Sequence, residues 1–384
     1  MRLPLRKGGK YYILLDVIRG HGIVALPLPE FTMTFARLWL IAILWLVQPA
    51  FGAEAVTNVV NNIKLLDEPR FQEPGGWQWQ YFRNGDGARI RYGFDRLPNC
   101  KGTIILVTGF TDTGETYFET IREFMAHDLD VWQMDWRGQG GSDRYLSERE
   151  KSYSLGTDHD EADLAQLVAL IRKEHPKRPL VLVGHSFGGL VSLRYLHDHP
   201  DGVDMAVLGT PALSLVEDAP TWMTRLVIST MVHLGFGKSY AANQGDWYHI
   251  RRQVTDPVLE SHDPERLALQ PTWFEKKPEL KAGGATWAWA NEFQKTGFLV
   301  TEPKYLKDIQ TPILIGSALA DKIADPDLHS RVCSCLPHGT LFRIADARHC
   351  IFHESDEFRR PWLAAIFEFI ERETIASSKR VAVD

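Results

Sequence analysis

Ser186 stands between two glycines in Gly184-His185-Ser186-Phe187-Gly188, with strand-forming residues before it and helix-forming residues after it. Leu180-Val181-Leu182-Val183 is an apolar, partly β-branched run that reads as a buried parallel strand. Gly189 to His197 reads as a helix, which Pro200 closes. A serine at such a sharp strand-to-helix turn is held in a strained backbone conformation that exposes its hydroxyl. Positions 184 and 188 must be small because strand and helix nearly touch there. G-x-S-x-G by itself also arises by chance in glycine-containing turns, and it is the flanking strand and helix that give it meaning. The chemistry open to such a serine is attack on a carbonyl carbon to form an acyl-serine intermediate.

That attack needs a base to take the hydroxyl proton and an acid to hold the base in the right tautomer. On this scaffold the two follow the serine in the order Asp or Glu, then His, each just past the C-terminal end of a strand. Asp321 follows the strand Pro312–Ile315, and His349 follows the last strand, Thr340–Ile344. Asp325 and Asp327 compete with Asp321, but one precedes Pro326 and the other reads as the start of a helix. His353 competes with His349 and is expected to face outward or to cap the final helix. His185 adjoins the nucleophile, so its side chain is expected to point away from the Ser186 hydroxyl. A tetrahedral oxyanion also needs two backbone N–H donors. Phe187, the residue after the serine, supplies one, and Phe110 in Thr108-Gly109-Phe110, after the strand Thr103–Val107, supplies the other.

Bringing these four segments to one end of a sheet requires strands and helices to alternate. Trp77–Phe82 and Ala88–Phe94 alternate around Asn84-Gly85-Asp86-Gly87 as a hairpin. Strands at Thr103–Val107, Asp130–Met134, Asp204–Leu208, Pro312–Ile315 and Thr340–Ile344 then alternate with helices at Thr116–His127, Asp160–His175, Asp327–Leu336 and near Glu357–Glu373. The fold class is α/β, a mostly parallel sheet with helices on both faces. Residues 212–308 break the rhythm, read as helical, and hold five of the twelve tryptophans. A stretch of that length between two sheet strands is a helical cap inserted late in the sheet. Within it Thr221–Phe236, if helical, gathers Trp222, Leu226, Met231 and Leu234 in one apolar band. That band either packs on its own domain or roofs an acyl tunnel above Ser186. The organisation is therefore an N-terminal extension at 1–55, core at 56–211, cap at 212–308, core at 309–375 and a loose tail at 376–384.

Other classes of function find little support. With 24% charged residues and a net charge of −6, the chain has no basic footprint for nucleic acid. Asp135-Trp-Arg-Gly-Gln-Gly-Gly-Ser142 is glycine-rich but lacks the Lys-Ser/Thr of a phosphate loop and the dinucleotide spacing, so it reads as a structural turn below the site and implies no cofactor. No Cys/His set has zinc spacing, so no metal is expected. Cys100, Cys333 and Cys335 precede strands whereas Cys350 lies beyond the last one. A five-residue strand spans about 17 Å against the ~7 Å reach of a disulfide, which makes Cys350 a free thiol. Leu38–Val47, an uncharged apolar run behind Arg37 with small residues after it, reads as a secretory signal peptide cleaved after Gly52 or Ala55. Met33 is the more usual start for such a signal. Export to the periplasm or medium follows, and the alternative is an anchor formed by residues 38–53, although the run is short of the roughly 20 residues of a membrane span.

The elbow at Gly184–Gly188, the Asp135–Ser142 segment and Ala347-Arg-His-Cys-Ile-Phe-His-Glu-Ser-Asp-Glu-Phe-Arg359 together resemble the α/β-hydrolase superfamily. Within it they are most similar to the bacterial lysophospholipase and monoacylglycerol lipase branch, with its serine aminopeptidase-like hydrolase domain. The cap segment from His262-Asp-Pro-Glu-Arg266 to Pro278-Glu-Leu-Lys-Ala-Gly-Gly-Ala-Thr-Trp-Ala-Trp289 is the more specific part of the resemblance, which runs from about Gly102 to Phe369. It implies a serine carboxylic ester hydrolase with Ser186, Asp321 and His349 as its triad. The implied substrate is a single-chain lipid ester, a lysophospholipid or monoacylglycerol, met at a membrane surface. Two departures stand out: Thr108-Gly109 where many relatives carry His-Gly, and Glu115 further along than the acid that others carry close behind that turn. A small-ester hydrolase or peptidase on the same fold is the second reading. A binding protein that kept the fold is the third, and the complete Ser, Asp and His set speaks against it.

Overall fold

The computed structural model describes residues 2–7, 10–16, 23–27, 63–215, 221–248 and 260–381. The apolar run expected to act as a signal peptide lies outside them. Met1–Phe51 and Gly52–Asp384 are separate units. The first holds an antiparallel three-stranded sheet of β1 (Arg2–Lys7), β2 (Lys10–Asp16) and β3 (Ile23–Pro27), where the sequence suggested only an extension.

The second unit is built on an eight-stranded sheet. Its strands are β4 (Gln78–Arg83), β5 (Arg89–Asp95), β6 (Gly102–Val107), β7 (Leu129–Met134), β8 (Leu180–His185), β9 (Met205–Gly209), β10 (Ile313–Ala318) and β11 (Gly339–Ile344). They lie in the order β11-β10-β9-β8-β6-β7-β5-β4. The β4–β5 hairpin and the β5–β7 pair are antiparallel, and every other pair is parallel. The central parallel strands β6, β8 and β9 are buried on both faces, which is why Ile104–Val107, Leu180–Val183 and Met205–Leu208 read as unbroken apolar runs. The chain passes from β6 to β7 on one side and then crosses to β8 on the other. The loops leaving β6 and β8 thus diverge at a topological switch point, where α/β sheets open a crevice.

The helices among the described residues are α1 (Phe118–Ala126), α2 (Thr157–Glu174), α3 (Phe187–Asp198), α4 (Thr221–Met231), α5 (Pro264–Lys276), α6 (Trp287–Val300), α7 (Pro303–Lys307), α8 (Pro326–Cys335) and α9 (Asp356–Val381). One core layer joins the sheet to Leu164, Leu167, Leu190, Leu193 and Val332 of α2, α3 and α8. The opposite layer joins it to Ile121 and Phe124 of α1 and to Trp362 and Ile366 of α9. Helix α9 runs on to Val381, past the expected end near Glu373 and through much of the tail expected to be loose. No glycine or proline stops it there, and Ala376, Lys379 and Arg380 favour helix. All four cysteines are free.

The cap helices α4 to α7 lie between β9 and β10, as the sequence pattern requires. Of the four residues in the apolar band of Thr221–Phe236, Met231 is half-buried and the other three face outward, while the helix packs on α6 of the same cap. Helix α4 continues as a π turn at Val232–Phe236, where Gly235 takes φ 88, and Trp222, Leu226 and Leu234 are 67%, 56% and 63% exposed. Ile228 is the buried side chain of that segment.

A buried ionic cluster fixes the loops that leave β6 and β7. Arg91 of β5 donates through Nε to Asp135 Oδ2 at 2.6 Å and through Nη1 and Nη2 to the Glu115 carboxylate at 2.9 and 2.7 Å. Its guanidinium also lies over the Trp79 ring at 3.9 Å. Burial alone would raise the Glu115 carboxyl, but Arg91 outweighs it and holds the group well below the ordinary range. A carboxyl depressed by folding adds stability above its unfolded value of 4.5 and loses it as pH falls through the lower folded value. Arg91→Met leaves both carboxylates without their main partner and is expected to cost about 3–5 kcal/mol in denaturant unfolding at neutral pH. The gap to wild type is expected to narrow below about pH 4.5; a gap that stays constant with pH would count against this coupling.

Candidate active site

Ser186 follows β8 directly, with φ 52 and ψ −115, a region side-chain-bearing residues rarely occupy. Its N–H donates to Gly209 O of β9 at 3.0 Å, and its carbonyl accepts from Leu190 N at 3.2 Å and Ala212 N at 3.0 Å. The elbow glycines are required by contact. A Cβ on Gly188 would lie 2.5 Å from Val107 O, and one on Gly184 would lie 2.8 Å from Gly188 O.

The structure brings Ser186, His349 and Asp321 together. His349 Nε2 is 2.8 Å from Ser186 Oγ, and His349 Nδ1 is 2.8 Å from Asp321 Oδ2. With Nδ1–H donating to the carboxylate, Nε2 is free to accept the serine hydroxyl. The second Asp321 oxygen accepts from Ile323 N at 2.7 Å and Ala324 N at 3.0 Å. Burial works to raise the Asp321 carboxyl, yet the His349 charge and the hydrogen bonds prevail and hold it below its ordinary value. The His349 carbonyl accepts from Thr210 Oγ1 at 2.7 Å, which pins the loop that carries the ring.

The competing residues do other work. His185 is buried with Nδ1 2.8 Å from the Tyr117 hydroxyl, directed away from the Ser186 hydroxyl as expected. Asp325 caps α8 through Asp327 N at 3.0 Å. His353 does not face outward. It is buried edge-on to Tyr117 with ring centroids 4.6 Å apart, and its Nε2–H donates to Thr116 O at 3.0 Å. Burial pulls it down to about 4, so it is a neutral packing group.

The Thr108–Phe110 loop runs beside the serine, and a Cβ on Gly109 would lie 3.3 Å from Ser186 Cβ. Among the described residues, the Phe110 and Phe187 amides have no hydrogen-bond acceptor. Both phenyl rings meet Trp289 of α6, with centroids 3.9 and 5.4 Å apart, and Trp289 stacks on Phe293 at 5.3 Å. The aromatic wall beside the site is therefore supplied by α6, not by the Thr221–Phe236 segment.

Two residues of the site escaped the sequence reading. Asp112 is an acidic residue close behind the Thr108–Phe110 turn, nearer to it than Glu115. Its carboxyl accepts from Thr113 N at 2.9 Å and Thr116 Oγ1 at 2.8 Å, and enclosure pushes it up to about 6. The Asp-Thr-x-x-Thr spacing at 112–116 is the turn chemistry that could have revealed it. Gln139 is the other, buried within the segment read as a structural turn and bonded to the Thr108–Asp112 loop.

Solved structures share this architecture. A soluble variant of monoglyceride lipase from Saccharomyces cerevisiae aligns with a TM-score of 0.63 over 78% of this chain and 97% of its own, at 20% identity. A thermostable carboxyl esterase from Bacillus coagulans aligns with a TM-score of 0.62 over 78% and 99%, at 15% identity. What they share with this chain is the fold, and it is the α/β-hydrolase fold. In sequence, residues 98–356 match the family described as Serine aminopeptidase, S33, and the chain belongs to that family of hydrolases. Lysophospholipase L2 of Escherichia coli is 26% identical over 307 residues, covering 78% of this chain and 89% of that protein. Monoacylglycerol lipase of Mycolicibacterium smegmatis is 25% identical over 268 residues, covering 67% and 88%.

Proposed function

We propose that this enzyme cleaves carboxylic esters of single-chain lipids, a lysophospholipid or a monoacylglycerol, through an acyl intermediate on Ser186. The observation that carries the reading is the continuous hydrogen-bonded line from Asp321 through His349 to Ser186 Oγ, each link 2.8 Å long. As Oγ attacks the acyl carbonyl, His349 Nε2 takes its proton and Asp321 steadies the resulting imidazolium. The Phe110 and Phe187 amides receive the oxyanion, and collapse of the tetrahedral intermediate expels the alcohol, which leaves with the proton from His349. Water then repeats the cycle and releases the fatty acid. The names of the relatives, a lysophospholipase and a monoacylglycerol lipase, support lipid esters, and the Phe110–Trp289–Phe293 wall suits an acyl chain. The outward-facing Trp222, Leu226, Leu234 and Phe236 support contact with a lipid surface that holds the substrate.

Ser186→Ala and His349→Ala are each expected to lower kcat/KM at least about 10³-fold, with the double variant little worse, because the groups act as a unit. Asp321→Asn is expected to cost less. A His349→Ala enzyme that stays active while His353→Ala is dead would overturn the assignment of the base.

On acyl esters of increasing length, kcat/KM is expected to climb several-fold per two-carbon step, since a buried methylene gains about 0.8 kcal/mol. Preference for the shortest esters, or faster cleavage of a peptide amide, would defeat the lipid reading and leave the serine chemistry standing. The Leu226→Glu, Leu234→Glu double variant is expected to slow turnover of monoacylglycerol presented in vesicles and to leave a soluble short ester unaffected. Equal turnover of vesicle-borne substrate would rule out the membrane contact.

A further inference from the structure

The segment Asp135–Ser142 leaves β7 next to the loop that leaves β6, and two of its side chains reach into that loop. Trp136 Nε1–H donates to Thr108 O at 2.8 Å. Gln139 Nε2 donates to Gly109 O at 2.7 Å and to Asp112 O at 3.3 Å, while its Oε1 accepts from Thr111 N at 3.0 Å. One buried amide thus grips the chain on both sides of Phe110. Its orientation is fixed by the partners, since a flipped amide would set Oε1 against two carbonyls.

In a trans peptide the carbonyl of one residue and the N–H of the next point in opposite directions. The hydrogen bond that fixes the Gly109 carbonyl therefore also fixes the direction of the Phe110 N–H. Thr111 follows with φ 60, a conformation a β-branched residue keeps only when its surroundings over-determine it. Gln139 holds its N–H, and Gln270 of cap helix α5 donates to its carbonyl at 3.0 Å.

We propose that Gln139 is a positioning residue that aims the Phe110 N–H at the oxyanion formed on the substrate carbonyl. The inference rests on the reading of Ser186 as the nucleophile. Gln139 touches no reacting atom and acts through the Gly109–Phe110 peptide.

Gln139→Glu is nearly isosteric and keeps the acceptor for Thr111 N–H, but it sets a carboxylate oxygen against the Gly109 carbonyl. In the folded variant, kcat on an acyl ester is expected to fall about tenfold to a hundredfold, short of the 10²–10³ for outright loss of an oxyanion donor. KM is expected to stay within about twofold, the pattern of an interaction made in the transition state. The affinity for a trifluoromethyl ketone, which forms a hemiketal oxyanion on the serine, is expected to fall with kcat. As pH is lowered, the ratio of variant to wild-type kcat is expected to recover, because a protonated Glu can donate to Gly109 O again. Gln139→Met, neutral and of similar shape, is expected to lose kcat without that recovery, and it decides the matter if Gln139→Glu does not fold. Wild-type kcat and ketone affinity in either folded variant would overturn the proposal, as would a loss confined to the fraction of titratable active sites. An active Ser186→Ala enzyme would instead remove the reading on which it rests.

Discussion

The site is arranged around the backbone of Ser186, held in a conformation that costs of order 1–3 kcal/mol. It is sustained because β8 lies between β6 and β9, so neighbours on both sides supply partners. Gly209 O of β9 takes the Ser186 N–H, Ala212 N reaches its carbonyl, and Val107 O of β6 leaves Gly188 no room for a side chain. With the hydroxyl held at the end of β8, the remaining groups can come only from neighbouring strand ends. The Thr108–Phe110 loop leaves β6, Asp321 follows β10 and His349 follows β11. Their registry with Ser186 is thus a property of the whole sheet.

The cap divides along the same logic. Its 263–281 stretch is bonded to the core at the loops nearest the site. Arg266 reaches Glu119, Asp356 and the Glu354 carbonyl, Lys277 reaches Glu115, and Gln270 reaches Thr111. Arg144 of the core donates to the carbonyls of Glu279, Leu280 and Lys281 as well as to Gly140 and Ser142. Burial, with the nearby Arg149 charge, pulls Arg144 down to about 10, and it still carries its proton at neutral pH. Helix α4 and the π turn after it instead turn large apolar side chains outward. One part of the cap is locked to the machinery, and another is available to the surroundings.

The strands of the large sheet were legible in the sequence because buried parallel strands leave unbroken apolar runs, and each strand lies within three residues of its run. Ser186, Asp321 and His349 were legible because the chemistry demands their order and their places after strands. What stayed hidden depends on contacts between segments distant in sequence. Nothing near His353 announces that Tyr117 and Thr116 will cover it. Gln139 lies in a turn whose importance comes from the adjacent loop after β6. The band around Trp222 reveals that a helix has an apolar face, which is silent about what that face meets.

The ionic cluster beside the loops that leave β6 and β7 follows from the same constraint. Replacing a buried ion pair by apolar groups of similar shape is often neutral or stabilising, so ion pairing alone does not account for Arg91 and Asp135. Asp135 does more than pair with arginine. It accepts from Gly114 N at 3.1 Å, Gly141 N at 2.7 Å and Gln133 Nε2 at 3.0 Å. Gly114 and Gly141 belong to the loops after β6 and β7, whose irregular backbone cannot satisfy every amide through a ladder. Buried amides need acceptors, and a carboxylate is the side chain that offers several at once. Once a carboxylate is there, burial demands a cation beside it, and Arg91 on the neighbouring strand is that cation. Loops irregular enough to leave their buried amides without a ladder partner thus bring a buried charge with them.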